Sequence, residues 1–190
     1  MTKLSLLAAA GLAVVAATPA AGSMIVLGSS VGYGCYQNAA RKVASAAAVA
    51  DCDSALASGM LSFHDEVATY VNRGVVKLHS DRHDAAIADF DRAIAKDPSQ
   101  PESYLNKGAT LLRMQGDAKA AIALFDEALQ RGTTKPELAY YSRAIANEVA
   151  GDAKAAYLDY RRAAQAAPKW NEPRQQLSRF TVARASANNF

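Results

Sequence analysis

Two histidines have the spacing of a possible metal site. His79 and His83 are four residues apart, with Asp81 and Asp84 beside them. On a single helix this spacing places both imidazoles on one face, where they can bind a metal ion. A turn between two helices is expected here, and it would separate the two faces. We therefore predict neither a metal site nor a cofactor, and we assign the third histidine, His64, to a helix start.

Two cysteines, Cys35 and Cys52, are the residues with redox chemistry. Their separation fits neither a redox motif of the form CxxC nor a haem attachment site. In an oxidising compartment they can form one disulfide, which for a loop of this length stabilises a fold by about 3 kcal/mol. A paired cysteine also offers no nucleophilic thiol.

Catalytic motifs are missing from the sequence. It contains no GxSxG, HExxH, GxxxxGK or GxGxxG segment. Neighbouring carboxylates such as Asp89 and Asp91 are predicted to lie on solvated helix faces. The 21 basic and 18 acidic residues alternate in sign rather than cluster, which argues against nucleic-acid binding. We predict a protein that is not an enzyme.

The N-terminus has the pattern of a secretory signal peptide. Lys3 precedes an uncharged run from Leu4 to Ala17, and Pro19 and small residues follow. Residues 1–22 are predicted to be removed, with cleavage between Ala20 and Ser23. The apolar run is shorter than the roughly 20 residues of a membrane-spanning helix, so no stable membrane insertion is expected after processing. A periplasmic or secreted location follows.

An internal repeat determines the expected fold. The segments YVNRG, YLNKG and YYSRA begin at Tyr70, Tyr104 and Tyr140. Each is followed by a second apolar-periodic segment, and these second segments repeat every 35 residues, starting at Ala86, Ala121 and Ala156. A supersecondary unit that recurs at this period predicts a stacked array, because one unit cannot bury its apolar face alone.

The repeat resembles the tetratricopeptide repeat family, in an exported bacterial form. That family's 34-residue unit is a helix, a turn and a second helix. Its pattern has an aromatic at position 4, a small residue at 8, alanine at 20 and 27, an aromatic at 24 and proline at 32. All six positions match in units 1 and 3, and unit 2 lacks only the proline. The matching residues are Tyr70, Gly74, Ala86, Phe90, Ala93 and Pro98; Tyr104, Gly108, Ala121, Phe125 and Ala128; and Tyr140, Ala144, Ala156, Tyr160, Ala163 and Pro168.

The resemblance implies an all-α, right-handed superhelical array of helix-turn-helix repeats with capping elements at both ends. The units span 67–100, 101–136 and 137–170. Residues 23–66 are predicted to form an N-terminal cap with a degenerate repeat, in which Cys52 takes the place of Phe90 and the first helix is the short stretch 35–40. Residues 171–190 are predicted to form a C-terminal capping helix and tail.

Helix starts and turns are also marked. Gly116-Asp117 and Gly151-Asp152 are predicted to form the turns within units 2 and 3. Two segments, 99–102 and 134–137, have the pattern of capping boxes with Ser99 and Thr134 as the capping residues.

The resemblance places a ligand groove on the first helices, at positions 2, 5, 6, 9, 12 and 13 of each unit. We predict that it holds a protein or peptide partner. The predicted groove residues are Val71, Asn72, Val75, His79, Leu105, Asn106, Ala109, Arg113, Tyr141, Ser142 and Ile145. Asn72 and Asn106 occupy the same position in consecutive units, where their amides could hydrogen-bond a peptide backbone. The alternative is that each amide serves the neighbouring helix.

The carboxylate clamp of chaperone-binding family members is not expected here. That clamp needs Lys or Arg at positions 2, 5 and 6 of particular units, and this sequence has Ala68, Val71, Glu102, Leu105, Leu138 and Ser142 at such places.

The alternative function is a structural part in an envelope complex, acting through the convex face or by self-association. The oligomeric state stays open.

Overall fold

The computed structural model describes residues 30–187, which form nine α-helices. The predicted signal peptide lies outside this range. No helix between residues 30 and 187 has the length and apolar character needed to span a membrane. The helices are α1 (Ser30–Ala40), α2 (Ala46–Ala57), α3 (Phe63–His79), α4 (His83–Lys96), α5 (Pro101–Arg113), α6 (Ala118–Gln130), α7 (Pro136–Val149), α8 (Ala153–Ala166) and α9 (Glu172–Ala187).

The helices pack in consecutive pairs. Units 1, 2 and 3 are the pairs α3–α4, α5–α6 and α7–α8, and the pair α1–α2 precedes them. The second helix of each pair packs on the first helix of the next, and α9 packs on α8. The first helices α1, α3, α5 and α7 also contact one another in order. The predicted all-α repeat array is confirmed.

Small residues permit the close helix contact inside each unit. A Cβ atom on Gly74 would overlap the ring of Phe90, and one on Gly108 would lie 2.9 Å from Cε1 of Phe125. Both rings are fully buried. Glycine costs helix stability, but here it gives the aromatic ring the space between the two helices.

A disulfide joins the N-terminal pair. Cys35 and Cys52 are fully buried, and their bond links α1 to α2. The prediction that the first helix is short, over 35–40, was wrong, because α1 already begins at Ser30. Packing explains the extension, since Gly32 lies against Leu61 and Thr69 and thereby brings the first turn of α1 onto the following segment. Tertiary contact here outweighs the poor helix propensity of glycine.

The turns within units 2 and 3 are confirmed. Asp117 caps α6 by accepting hydrogen bonds from the backbone N–H groups of Lys119 and Ala120, and Asp152 caps α8 by accepting one from Ala155. Gly151 has a φ of +84°, a left-handed conformation that favours glycine.

The two predicted capping boxes were wrong. The capping residue of α5 is Gln100, whose side chain accepts a hydrogen bond from the N–H of Ser103. Lys135 occupies the capping position of α7 without a side-chain bond. Thr134 instead donates through its hydroxyl and its backbone N–H to Glu102. The threonine thus ties the loop between units 2 and 3 to α5 rather than starting α7.

Candidate partner-binding groove

The predicted groove residues lie on three neighbouring first helices, α3, α5 and α7. Most of them are partly exposed and so able to contact a partner. This accessible set comprises Asn72, Val75, His79, Asn106, Ala109, Arg113, Tyr141, Ser142 and Ile145. Tyr141 also packs against Trp170 in a tilted ring pair with a centroid distance of 4.7 Å, which fixes one edge of this surface.

Two predicted groove residues, Val71 and Leu105, are buried. They are 6% exposed each, in the clusters that contain Phe90 and Phe125, respectively. Both occupy position 5, next to the aromatic residue at position 4, and their aliphatic side chains complete the core of their unit. Their prediction as partner contacts is therefore corrected, and the accessible surface is more polar than the sequence suggested.

The amides of Asn72 and Asn106 are the most distinctive polar groups on this surface. Both residues are partly buried, and neither side chain makes a hydrogen bond to any residue in the range 30–187. An amide has two donors and an acceptor with two lone pairs. The helix-serving alternative would require intramolecular bonds, which the described residues do not supply.

One end of the surface is basic. His79 lies at the C-terminal end of α3, and its pKa is lowered by partial burial and by the charges of Lys42 and Arg113. Arg113 also pairs with Asp81 at 3.3 Å. The neighbouring histidine, His83, begins α4, so the two imidazoles stand on different helices.

A buried ionic core in unit 1 was missed from the sequence. Asp89 is fully buried, which corrects the prediction of a solvated carboxylate. It accepts two hydrogen bonds from Arg73, at 2.6 and 2.8 Å, one from Lys77 at 2.6 Å and one from Arg92 at 3.0 Å. Burial alone would raise the pKa of Asp89, but the bonds from Arg73 and Lys77 outweigh it and hold the pKa below its ordinary value.

Unit 3 has the same arrangement around Asp159. This carboxylate accepts two bonds from Arg143, both at 2.7 Å, one from Arg162 at 3.0 Å and one from Asn147 at 3.3 Å. Burial would lower the pKa of Arg143, but its bonds to Asp159 and Asp126 raise the pKa above its ordinary value. Alignment of the units could have revealed both ionic cores from the sequence, because each aspartate follows its arginine by 16 residues.

A ladder of ion pairs joins successive units. In each case an aspartate at position 25 of one unit pairs with a cation at position 7 of the next. Asp53 pairs with Arg73 at 2.6 Å and Asp91 with Lys107 at 2.5 Å. Asp126 pairs with Arg143. The ladder therefore indicates that α2 packs on unit 1 in the same way as α4 packs on unit 2.

The sequence model of a tetratricopeptide repeat matches the chain over residues 35–101, 71–136 and 106–169. The chain belongs to the tetratricopeptide repeat family. The first match begins at Cys35, so it includes both cysteines, the second half of α1 and all of α2, as well as unit 1. Tetratricopeptide repeat domains typically bind proteins or peptides, and the scaffold is generally not enzymatic. Among curated proteins, none matches this tetratricopeptide repeat chain.

Solved tetratricopeptide repeat structures share the fold at low identity. The first such domain of Spaghetti (RPAP3), bound to the HSP90 peptide SRMEEVD, is 20% identical with a TM-score of 0.58, and the match covers 63% of this chain and 93% of that one. MamA from Desulfovibrio magneticus RS-1 is 15% identical with a TM-score of 0.67, covering 82% and 85%. YrrB, described as having an unusual peptide-binding site, is 21% identical with a TM-score of 0.53, covering 61% and 62%.

Proposed function

We propose that this protein is an exported tetratricopeptide repeat protein that holds an extended segment or a helix of a partner protein in the predicted groove. The observation that carries the proposal is the pair Asn72 and Asn106. Their amides occupy the same position one unit apart, are partly buried, and make no hydrogen bond within residues 30–187. An unpaired and partly desolvated amide gains stability when a ligand supplies its hydrogen bonds.

The surroundings of the two amides fit a peptide rather than a small ion. Val75, Ala109 and Ile145 at position 9 supply apolar contacts along the groove. A bound segment can then direct apolar side chains at this row while its backbone hydrogen-bonds Asn72 and Asn106. Main-chain bonds supply general affinity, and the apolar row selects the sequence.

The RPAP3 domain is described with the HSP90 peptide SRMEEVD, which has three acidic residues among its last four. This chain has Glu102 and no cation at positions 2, 5 and 6 of its three units. We therefore propose a ligand class other than an acidic C-terminus, with apolar side chains as its main feature.

Export is part of the same proposal. The N-terminal sequence has a basic residue, an apolar run and a small-residue segment in the order of a signal peptide. The disulfide between Cys35 and Cys52 accords with an oxidising compartment, where such bonds persist. A periplasmic or extracellular partner follows from this.

The test is a double substitution of the two amides. A photoreactive residue at Val75 would crosslink the partner in cells, and mass spectrometry would identify it. Asn72→Ala with Asn106→Ala should reduce the crosslinked partner at least tenfold and leave the melting temperature nearly unchanged, because neither amide has an intramolecular bond to lose.

A matched control exists in the chain. Gln130 and Gln165 are exposed amides that also share one repeat position, on the second helices α6 and α8. Gln130→Ala with Gln165→Ala should leave the partner yield unchanged. Equal yields from the groove and control variants would contradict the proposal.

The alternative proposal is assembly by self-association or within an envelope complex. Exposed aromatic side chains on α1 favour assembly. Tyr33 and Tyr36 are 51% and 54% exposed, and their ring centroids lie 6.4 Å apart. Light scattering after size exclusion separates the two proposals. A monomer at working concentration supports the groove, and a stable oligomer that dissociates on Tyr33→Ser with Tyr36→Ser supports assembly.

A further inference from the structure

A cleft of about 220 Å³ lies between α6, α7 and α8, away from the predicted groove. Its polar wall is formed by two aspartates, two arginines and one amide, and Ala155, Ile122 and Leu158 provide apolar surface at its sides. The polar residues are Asp126, Asp159, Arg143, Arg162 and Asn147. Arg143 and Asn147 occupy positions 7 and 11 of their unit, which face the second helices, whereas the accessible groove residues occupy positions 5, 6, 9 and 13. The cleft is thus a separate feature, and its chemistry is independent of the proposed groove.

Unit 1 shows what fits at the equivalent place. There position 11 is Lys77, which is only 8% exposed. Its ammonium Nζ lies 2.6 Å from Oδ2 of Asp89. In unit 3 the same carboxylate oxygen, Oδ2 of Asp159, receives only the amide of Asn147 at 3.3 Å in addition to Arg143. Asparagine is shorter than lysine and uncharged, so unit 3 leaves open the space that Lys77 fills and lacks the positive charge that it supplies.

The charges around the two carboxylates are otherwise the same. In unit 1, Asp89 pairs with Arg73 and Arg92, and Arg73 pairs in turn with Asp53. Unit 3 has the equivalent four groups, Asp126, Asp159, Arg143 and Arg162. Each set of four is balanced, and in unit 1 it accommodates an additional ammonium group in a buried position. The unit 3 set therefore has the composition that holds an ammonium group but lacks one from its own chain.

We propose that the unit 3 cleft binds a primary ammonium group on a short alkyl stem. The ammonium group lies against Oδ2 of Asp159 and the amide oxygen of Asn147, with the Asp126 carboxylate at the more exposed side. The stem lies between Ile122 and Leu158, which match the methylene groups of a lysine side chain. This chemistry comes either from a lysine of a bound protein or from a free alkyl diamine.

The test is an NMR titration of the whole chain that follows the side-chain amide of Asn147 and the methyl groups of Ile122 and Leu158. The probes are acetyl-Gly-Lys-Gly-amide and pentane-1,5-diamine, and the peptide with norleucine in place of lysine is the uncharged control. Saturable chemical-shift changes with the lysine peptide or the diamine support the site, provided that the norleucine peptide binds at least tenfold more weakly. Shifts with the lysine peptide alone identify a protein lysine as the natural occupant, and shifts with the diamine alone identify a free amine.

Two substitutions exchange the feature between units. Asn147→Lys supplies the ammonium group from within, so it should weaken probe binding at least tenfold while keeping or raising the melting temperature. Lys77→Asn opens the equivalent space in unit 1, so it should add a second set of saturable shifts beside Asp89. No saturable shift with either amine probe, or binding that Asn147→Lys leaves unchanged, would overturn the proposal.

Discussion

Units 1 and 2 are neighbours with the same helix pairing, yet their interiors differ in kind. Positions 11 and 23 hold Lys77 and Asp89 in unit 1, where the carboxylate is fully buried and bonded to cations. The same positions hold Leu111 and Leu124 in unit 2, both packed in its apolar cluster. The contact between small residue and aromatic ring is nevertheless kept in both. The fold thus requires the small and aromatic positions, whereas positions 11 and 23 accept either chemistry when they change together.

The two solutions respond differently to damage. A buried charge costs several kcal/mol to desolvate, and its partners offset this only while all of them are present. A pair of leucines loses only the packing of the atoms removed. Loss of one charged group should therefore destabilise unit 1 more than truncation of one leucine destabilises unit 2. Replacement of all the buried charges of unit 1 together should be tolerated.

The largest effect is expected from Asp89→Asn. This change leaves Arg73 and Lys77 without their buried anion, so the free energy of unfolding at pH 7 should fall by about 3–5 kcal/mol. Urea unfolding followed by circular dichroism measures the loss. A loss below 1 kcal/mol would show that the ionic core of unit 1 is energetically unimportant.

The pH dependence of the same variant provides an internal control. Because the pKa of Asp89 is lowered in the folded state, its contribution is complete above the ordinary value of 3.8 and is lost as the pH falls through the lowered pKa. The stability difference between the native chain and Asp89→Asn should therefore shrink below pH 3.8. A difference that stays constant into strong acid contradicts this assignment.

Exchange of the unit 1 core for that of unit 2 is expected to have the next largest effect, in the opposite direction. The triple variant Arg73→Lys, Lys77→Leu and Asp89→Leu removes the buried charges together and keeps a cation for Asp53. It should be as stable as the native chain or more stable by about 1–4 kcal/mol. Urea unfolding again measures it, and a loss similar to that of Asp89→Asn would show that unit 1 cannot accept an apolar interior.

Smaller effects are expected at the glycines. Gly74→Ala brings a Cβ into the buried ring of Phe90, whereas the same change at Gly108 meets Phe125 at 2.9 Å and Leu124 at 3.2 Å. Overpacking costs about 1–3 kcal/mol, and alanine returns about 1 kcal/mol of helix propensity. Gly74→Ala should lower stability by about 1 kcal/mol and Gly108→Ala should be close to neutral, as thermal unfolding can measure. Equal effects would mean that the two units pack equally closely here.

The smallest effect is expected in the exposed part of the ladder. Asp91 pairs with Lys107, and its side chain is 51% exposed. Asp91→Asn should therefore cost less than about 1 kcal/mol, and added salt should remove most of that difference. A loss as large as that of Asp89→Asn would show that exposure does not separate the two carboxylates.

The repeat array was predictable because its signal recurs. Aromatic and small residues such as Phe90 and Gly74 return at fixed positions in every unit, and the structure places them in contact. Asp89 and Asp91 show the limit of that approach. They are two residues apart on one helix, but Asp89 is buried and Asp91 is exposed, and their own sequence neighbourhood does not distinguish them.

The groove was predictable only in part. Family positions located the surface but assigned Val71 and Leu105 to it, although both complete the core of their unit. Whether an asparagine serves the helix or a ligand depends on which groups come near its amide in space. For Asn72 and Asn106 that information exists only after the helices are packed.

The ion-pair ladder also sets the direction in which the array can grow. Position 25 carries aspartate in α2, α4 and α6, but in α8 it is Arg161, and α9 presents Leu177 at position 7. A duplicated copy of unit 2 placed after its original would find Asp126 for its own lysine and would offer a second aspartate to Arg143. The same copy placed after unit 3 would bring its lysine to Arg161, where like charges repel. The charge at position 25 thus favours an added copy in the middle of the array and disfavours one at its C-terminal end.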